Sequence, residues 1–289
     1  MTATVPAQQL RERALRTLWQ LPPFSPILNR LLATLAREDV SFVKIADLIE
    51  KDTVLAGNVL RLVNSALYGR RGAVNSVRHA ASLLGVNKLR NATLGMSVTR
   101  LWNQLKMPPG WSTMKFNLHS VATGMLSDML SQEGPVKYAE GAFAAGLFHD
   151  LGRLLIALGL PDEFKRIESL YAAGAGTRSE CERTVLGFTH PMLSAEALEL
   201  WNLAQEICRA VTYHNNPAVA PDAEPGVSLA RVIHAAAGYA NAIGYQMDDG
   251  PTEGIDAAVE CIQELHLVRN LPSFLETFTT EFESVRILF

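Results

Sequence analysis

The sequence has little cysteine: Cys181, Cys208 and Cys261 stand far apart among 289 residues, odd in number and without a C-x-x-C pair. They read as buried or idle thiols in a reducing cytosol. There is no surplus of positive charge either, since 26 Lys and Arg face 29 Asp and Glu, for a net charge of -3. No broad basic field is present to recruit nucleic acid or an anionic bilayer. The opening MTATVPAQQLRERALRTLWQ lacks the apolar core of a signal peptide. The most apolar stretch, 141–160, is interrupted by His149, Asp150 and Arg153, so no unbroken run reaches bilayer-spanning length. Period-2 alternation, hairpin signals, internal repeats and low-complexity tracts are missing as well. Together these absences lead us to expect a cytoplasmic protein with no membrane and no nucleic acid among its partners.

What is present is helical periodicity, in a chain that is 48% hydrophobic and 19% charged. In VLAGNVLRLVNSALYG, residues Leu55, Val59, Leu62, Val63 and Leu67 fall on one helix face, with Asp52 as N-cap and Gly69 as stop. Ser41 is placed to cap FVKIADLIEK, and SVRHAASLLG ends at Gly85. A further stripe runs through Met114, Leu118, Val121, Met125 and Met129. The breaks are LPPFSP (21–26), KMPPGW (106–111), NNPAVAPDAEPG (215–226) and DDGPTEG (248–254), the last two read as exposed loops. The fold class expected is all-α, with helices grouped as 1–20, 21–105, 112–214 and 227–289.

The stretch AAGLFHDLGRLLIALG places His149 and Asp150 in an apolar run that should be a central helix. Ionisable groups there need partners. His214 continues the inward stripe of Ile207 and Val211, His119 flanks the methionine stripe, and His190 precedes Pro191 at a helix start. Imidazole with carboxylate suits a first-row divalent ion, Fe, Mn, Ni or Zn. Asn64 and Ser65 are polar on a half-buried helix, and their side chains are expected to tie down the loop 69–76. Trp19, Trp102, Trp111 and Trp201 read as packing residues.

FHDLGRLL resembles the His-Asp signature of the HD superfamily of metal-dependent phosphohydrolases. LPPFSPILNRLLATL, IADLIEKDTVLAGNVLRLVNSALYG and SVRHAASLLGVNKLRNATLG are similar to the HDOD family, the HD-related output domain of bacterial signalling proteins. Glu182, Gly187, His190, Trp201 and His214 continue that likeness. The resemblance implies an HD-like helical bundle with an N-terminal helical subdomain. It divides the chain into an N-terminal helix, 1–20, an HDOD domain, 21–217, with halves 21–105 and 112–217, and a C-terminal helical extension, 218–289, packing on the HD-like half. It implies metal ligands at His119, His149, Asp150, His190 and His214, holding one or two divalent ions.

The same resemblance shows departures. The later Asp of catalytic HD enzymes is expected within SLARVIHAAAGYANAIG, where Ala235, Ala236, Ala237 and Gly238 carry no carboxylate; His234 is near in sequence but on a different helical face. Compared with the HD-GYP phosphodiesterases, Asn215 stands where a second adjacent His is usual and Arg153 replaces a Lys. Arg153 keeps positive charge but is too basic for a general acid. Lys115 stands one turn before His119, where trinuclear members use Glu, which argues against a third ion. The expected function is thus a bacterial signal-transduction HDOD module, non-catalytic or weakly catalytic, with a signalling protein or small ligand as partner and a homodimer as an open option. The alternative is a metal-dependent phosphohydrolase acting on a nucleotide or cyclic dinucleotide through Asp150 and Arg153. A basic patch of Arg70, Arg71, Arg78, Lys88 and Arg90 reads as a solvated face.

Overall fold

Side-chain caps fix where the helices begin. Asp52 accepts from the Leu55 amide at 3.1 Å, Ser76 from His79 and Ser112 from Lys115, each satisfying an amide that helix geometry leaves without a partner. In the computed structural model, residues 6–35, 42–64, 74–221, 227–248 and 254–289 are described. Among them every long element is helical, and an isolated bridge between Val136 and Val227 is the sole β pairing. Ser41, Ser65, Leu67, Gly69 and Arg70–Arg71 lie outside the described residues.

The first layer joins α2 (Pro26–Leu35), α3 (Phe42–Glu50), α4 (Thr53–Val63), α5 (Val77–Leu84) and α6 (Val86–Trp102), which pack on one another. Leu55, Val59, Leu62 and Val63 are buried on α4. Asn64, at the C-terminal end of α4, donates to the Val74 carbonyl at 2.9 Å and accepts from the Val74 amide at 2.8 Å. So Asn64 holds the returning chain by two hydrogen bonds, as its position suggested.

The second layer is built on α7 (Thr113–Gln132), which packs against α8 (Ala142–Phe148) and α14 (Leu229–Ala240). Around it stand α9 (Leu151–Gly159), α10 (Pro161–Ala172), α11 (Arg178–Leu186), α12 (His190–Leu200) and α13 (Gln205–Tyr213). The stretch expected as one central helix is two, α8 and α9, parted at His149–Asp150. Its 139–159 span is apolar enough to cross a bilayer by composition, yet lies buried against the protein's own helices. The methionine stripe faces inward only in part: Val121 is fully buried and Leu118 packs on the core, but Met114 is 68% exposed, and Met125 and Met129 line a cleft of about 770 Å³ between α6, α7 and α16 (Leu271–Val285). The buried faces of α7 carry Phe116, Val121, Leu126 and Leu130 together with the small residues Ser120, Thr123, Gly124 and Ser127. Small residues win there because α8 approaches closely: a Cβ on Gly146 would lie 2.7 Å from the Gly124 Cα.

The flanking segments are attached to the second layer. The N-terminal helix α1 (Ala7–Arg16) packs on α9, α11 and α12. The extension contributes α14, packed against α7, α8 and α13, and then α15 (Ile255–Gln263) and α16, the latter against α7. Trp102 is fully buried, whereas Trp19 is 79% exposed, because its 3-10 turn directs Thr17 and Leu18 inward. Arg78 pairs with Asp47, Lys88 with Glu281, and Arg90 is buried with its guanidinium on the Glu140 carbonyl. The described members of the basic set are thus each matched by an acceptor.

Candidate metal centre

Four helix ends meet at one point. His149 and His214 follow the last residues of α8 and α13, where carbonyls lack intrahelical partners. Each imidazole uses one: His149 Nδ1–H donates to the Gly146 carbonyl at 2.7 Å and His214 Nδ1–H to Val211 at 2.7 Å. Asp150 and His190 stand at the opposite kind of end, the starts of α9 and α12. Asp150 makes no capping bond; the Gly152 amide donates instead to the buried Ser194 hydroxyl at 2.7 Å. Its carboxylate is therefore left for the pocket. His119, from the middle of α7, donates from Nδ1 to the Tyr245 carbonyl at 3.0 Å. That carbonyl is delivered by the π turn Asn241–Tyr245, in which the chain swings aside at Gly244 (φ 96°).

With every Nδ1 committed outward, the Nε2 atoms converge on Asp150. His190 Nε2 lies 3.0 Å and His214 Nε2 3.8 Å from Oδ1. His149 Nε2 lies 3.6 Å and His119 Nε2 3.8 Å from Oδ2. Two triads result, His119–His149–Asp150 and Asp150–His190–His214, the donor atoms of each within 4.8 Å of one another. All five residues expected from the sequence as ligands are buried in this one cluster.

The electrostatics divide the four imidazoles. Burial pushes His119 down to about 4, with His149 adding to the effect and Asp150 opposing it. Burial likewise lowers His149, and lowers His214 well below its ordinary value. These three are neutral. His190 is different: burial opposes its charge, but Glu182 and Asp150 overcome it and raise it to about 9. Burial would raise Asp150, yet His149, His190 and Arg153 hold it well below the usual carboxylate range.

The donor set fits a cation on its own chemistry. His119 Nε2 and His149 Nε2 stand 3.2 Å apart. Both rings are neutral with their protons on Nδ1, so two lone pairs face each other with no hydrogen between them. A shared cation resolves that contact. In the metal-free protein His190, an imidazolium between two buried carboxylates, supplies that positive charge, and its Nε2 becomes a donor to an ion only by giving up its proton. Divalent first-row ions match imidazole and carboxylate donors, and fixed Nδ1–H partners of this kind orient metal-binding histidines.

Four contributors were not foreseen as site residues. Glu182, buried on α11, accepts the His190 Nδ1–H at 2.7 Å and the His190 amide at 2.8 Å, capping α12 while orienting its first side chain. Ser194 frees Asp150. Arg178 and Asp248 line the same cavity of about 260 Å³. Asp248 reads in the sequence as part of an exposed loop, but its side chain is 19% exposed and pairs with both Arg153, at 2.6 Å, and Arg178, at 2.7 Å. Burial raises Asp248 and the two guanidinium groups more than offset this, leaving it lowered. Arg153 also lies 3.4 Å from Asp150. The wall from α14 consists of His234, Ala237 and Gly238, without a carboxylate. His234 lies at the rim, outside both triads, and bonds the His214 carbonyl at 2.9 Å. Asn215 stands at the same rim, 3.3 Å from His190 Nε2.

Known proteins bear on this arrangement. The structure of an HDOD domain protein of unknown function from Geobacter sulfurreducens superposes with a TM-score of 0.77 at 20% identity, over 98% of this chain and 99% of that one. That of a candidate phosphohydrolase from Shewanella amazonensis gives 0.72 at 22%, over 96% and 97%. That of a candidate signal transduction protein from Marinobacter aquaeolei gives 0.70 at 22%, over all of this chain and 67% of that one. At such identities the likeness speaks to fold. An uncharacterized protein of Treponema pallidum is 21% identical over 213 residues, which are 70% of this chain and 39% of that protein, so the chain spans well under half its length. The HDOD domain model matches residues 21–217, more than half of the chain. The break at His149–Asp150, the bundle around α7 and this match agree, and the chain belongs to the HDOD family, whose fold is related to that of the HD phosphohydrolases.

Proposed function

We propose that this chain is a regulatory module of bacterial signal transduction in the cytoplasm, binding a protein partner or a small ligand, with a divalent first-row ion held by His119, His149, Asp150, His190 and His214. The observation that carries the reading is the convergence of four imidazole Nε2 atoms on one carboxylate, with every Nδ1 fixed by an acceptor. When bound, such an ion supplies Lewis acidity toward a phosphoryl oxygen. The chain's own residues do the rest: Glu182 orients His190, Ser194 keeps Asp150 free, and Arg153 balances the Asp150 charge.

The regulatory reading is favoured over turnover by the α14 wall. Ala237 and Gly238 offer no second carboxylate and Asp248 is taken up by Arg153 and Arg178, so Asp150 alone would screen two cations from each other. One ion is the simpler occupancy, and catalysis is then weak or absent. The second reading, a metal-dependent phosphohydrolase on a nucleotide or cyclic dinucleotide, draws support from Arg153 beside Asp150, a guanidinium suited to a phosphate group.

Elemental analysis of the purified chain and of Asp150→Ala tests the centre. We expect one or more equivalents of Fe, Mn, Ni or Zn in the wild type and loss in the variant. A wild type that stays metal-free after incubation with these ions refutes the metal reading. Hydrolysis of bis(p-nitrophenyl) phosphate by the loaded protein, abolished by Asp150→Ala, would favour the second reading over the first.

A further inference from the structure

Two arginines from different helices meet at the mouth of the pocket. Arg153 reaches from the first turn of α9 and Arg178 from the first residue of α11. Their side chains are each 11% exposed. What lies between them is a single carboxylate, that of Asp248. Arg153 Nη2 donates to Oδ1 at 2.6 Å and to Oδ2 at 2.8 Å, and Arg178 Nη2 donates to Oδ2 at 2.7 Å. Arg178 is further set by Glu168 and by the Tyr171 ring, 4.5 Å below its guanidinium.

Asp248 does not satisfy this pair fully. The Arg178 Nε–H is buried and has no acceptor. Asp248 meets Arg178 through Nη2 and does not reach the Nε–H. A tetrahedral oxyanion carries further oxygens, and guanidinium groups match phosphate geometry through paired N–H donors. Asn215, Asn241 and Gln246 line the same cavity and add neutral hydrogen-bonding groups around it.

We infer that Arg153 and Arg178 form a clamp for the phosphate group of a ligand, and that the chain's own Asp248 occupies this clamp as an internal competitor. This rests on the reading of the pocket as a ligand site, but it does not need the metal. Self-occupancy lowers the apparent affinity for an external anion by the fraction of molecules in which the clamp is free. Asp248 therefore sets the ligand concentration at which the site responds. A ligand phosphate that displaces it leaves Arg153 between Asp150 and the incoming anion.

The test is calorimetric titration of inorganic phosphate, with acetate alongside, into the full chain treated with chelator. Wild type is compared with Asp248→Asn and with Asp248→Asn combined with Arg178→Met. We expect Asp248→Asn to bind phosphate about tenfold or more tightly than wild type, acetate to bind more weakly than phosphate, and the double variant to lose the gain. Equal phosphate affinity in wild type and Asp248→Asn overturns the inference, as does undiminished binding in the double variant or a preference for acetate. Should Asp248→Asn fail to fold, Asp248→Glu keeps the charge on a longer arm that does not fit the same fork. It must then also bind phosphate more tightly than wild type, and equal affinities overturn the inference. Because metal is absent throughout, failure here is separate from failure of the metal reading, which elemental analysis decides.

Discussion

At the scale of single residues, the cluster is a balance of protons. His119, His149 and His214 are neutral in the fold but titrate near 6.5 in an unfolded chain. The unfolded state then binds more protons below pH 6.5, so their contribution to stability is lost as pH falls from there toward about 4, where His119 titrates. His190 runs the other way: raised to about 9, it stabilises fully below 6.5 and fades as pH rises through 9. Below pH 6.5 His190 is charged in both states and adds no slope, so the metal-free protein should lose stability on acidification, by at most about 1.4 kcal/mol per pH unit for each depressed histidine. Urea melts between pH 7 and pH 5 check this, and a flat profile would contradict the burial of neutral rings. Glu182→Gln removes the charge that holds up His190. We expect the His190 pKa to drop, read by NMR titration, and metal affinity to fall by about 10–100-fold, the range for partners that orient a ligand.

At the scale of elements, the site depends on how closely helix starts approach one another. A Cβ on Gly152 would lie 2.2 Å from the His190 carbonyl oxygen, so the first turn of α9 reaches α12 only with glycine there. Gly152→Ala should destabilise by about 1–3 kcal/mol through overpacking and lower metal content with it, since His190 must move. Denaturation midpoint and elemental analysis, taken together, separate this from a purely local effect. In the first layer, Asn64→Ala removes both hydrogen bonds to Val74 and should cost about 1–3 kcal/mol, read as a shifted urea midpoint at unchanged slope. An unchanged midpoint would mean that Val74 is held by packing alone.

At the scale of the whole molecule, the family match ends at residue 217, but the fold does not. Helix α14 buries Leu229, Val232, Ile233, Ala235 and Ala236, and it packs on α7 and α13, the helices that bear His119 and precede His214. The turn after it supplies the Tyr245 carbonyl that sets His119, and Asp248. A chain cut after residue 217 exposes that face and loses the acceptor of His119. We expect it to aggregate or to lose cooperative unfolding by circular dichroism. A soluble, cooperatively folded 1–217 fragment that binds metal normally would show the extension to be dispensable.

The sequence by itself determined the all-α class and the start of α4, because these depend on spacing and on a side chain three residues away: Asp52 holds the Leu55 amide, and Asn64 stood out as a polar residue at the end of an apolar helix face. It also marked the five residues of the cluster, since ionisable groups in an apolar run require partners and the family motif named them. Only the tertiary structure decided which face of α7 is inward, because a helix packed on several sides has no single apolar stripe, and small residues take the closest approach. It alone brought Glu182 to His190 and Ser194 to the Gly152 amide. It alone carried Asp248 from a stretch that reads as exposed loop to a position between two arginines. Those contacts join residues far apart in the chain, where neither periodicity nor local propensity carries information, and they are fixed by the geometry of helix ends meeting in a crowded core.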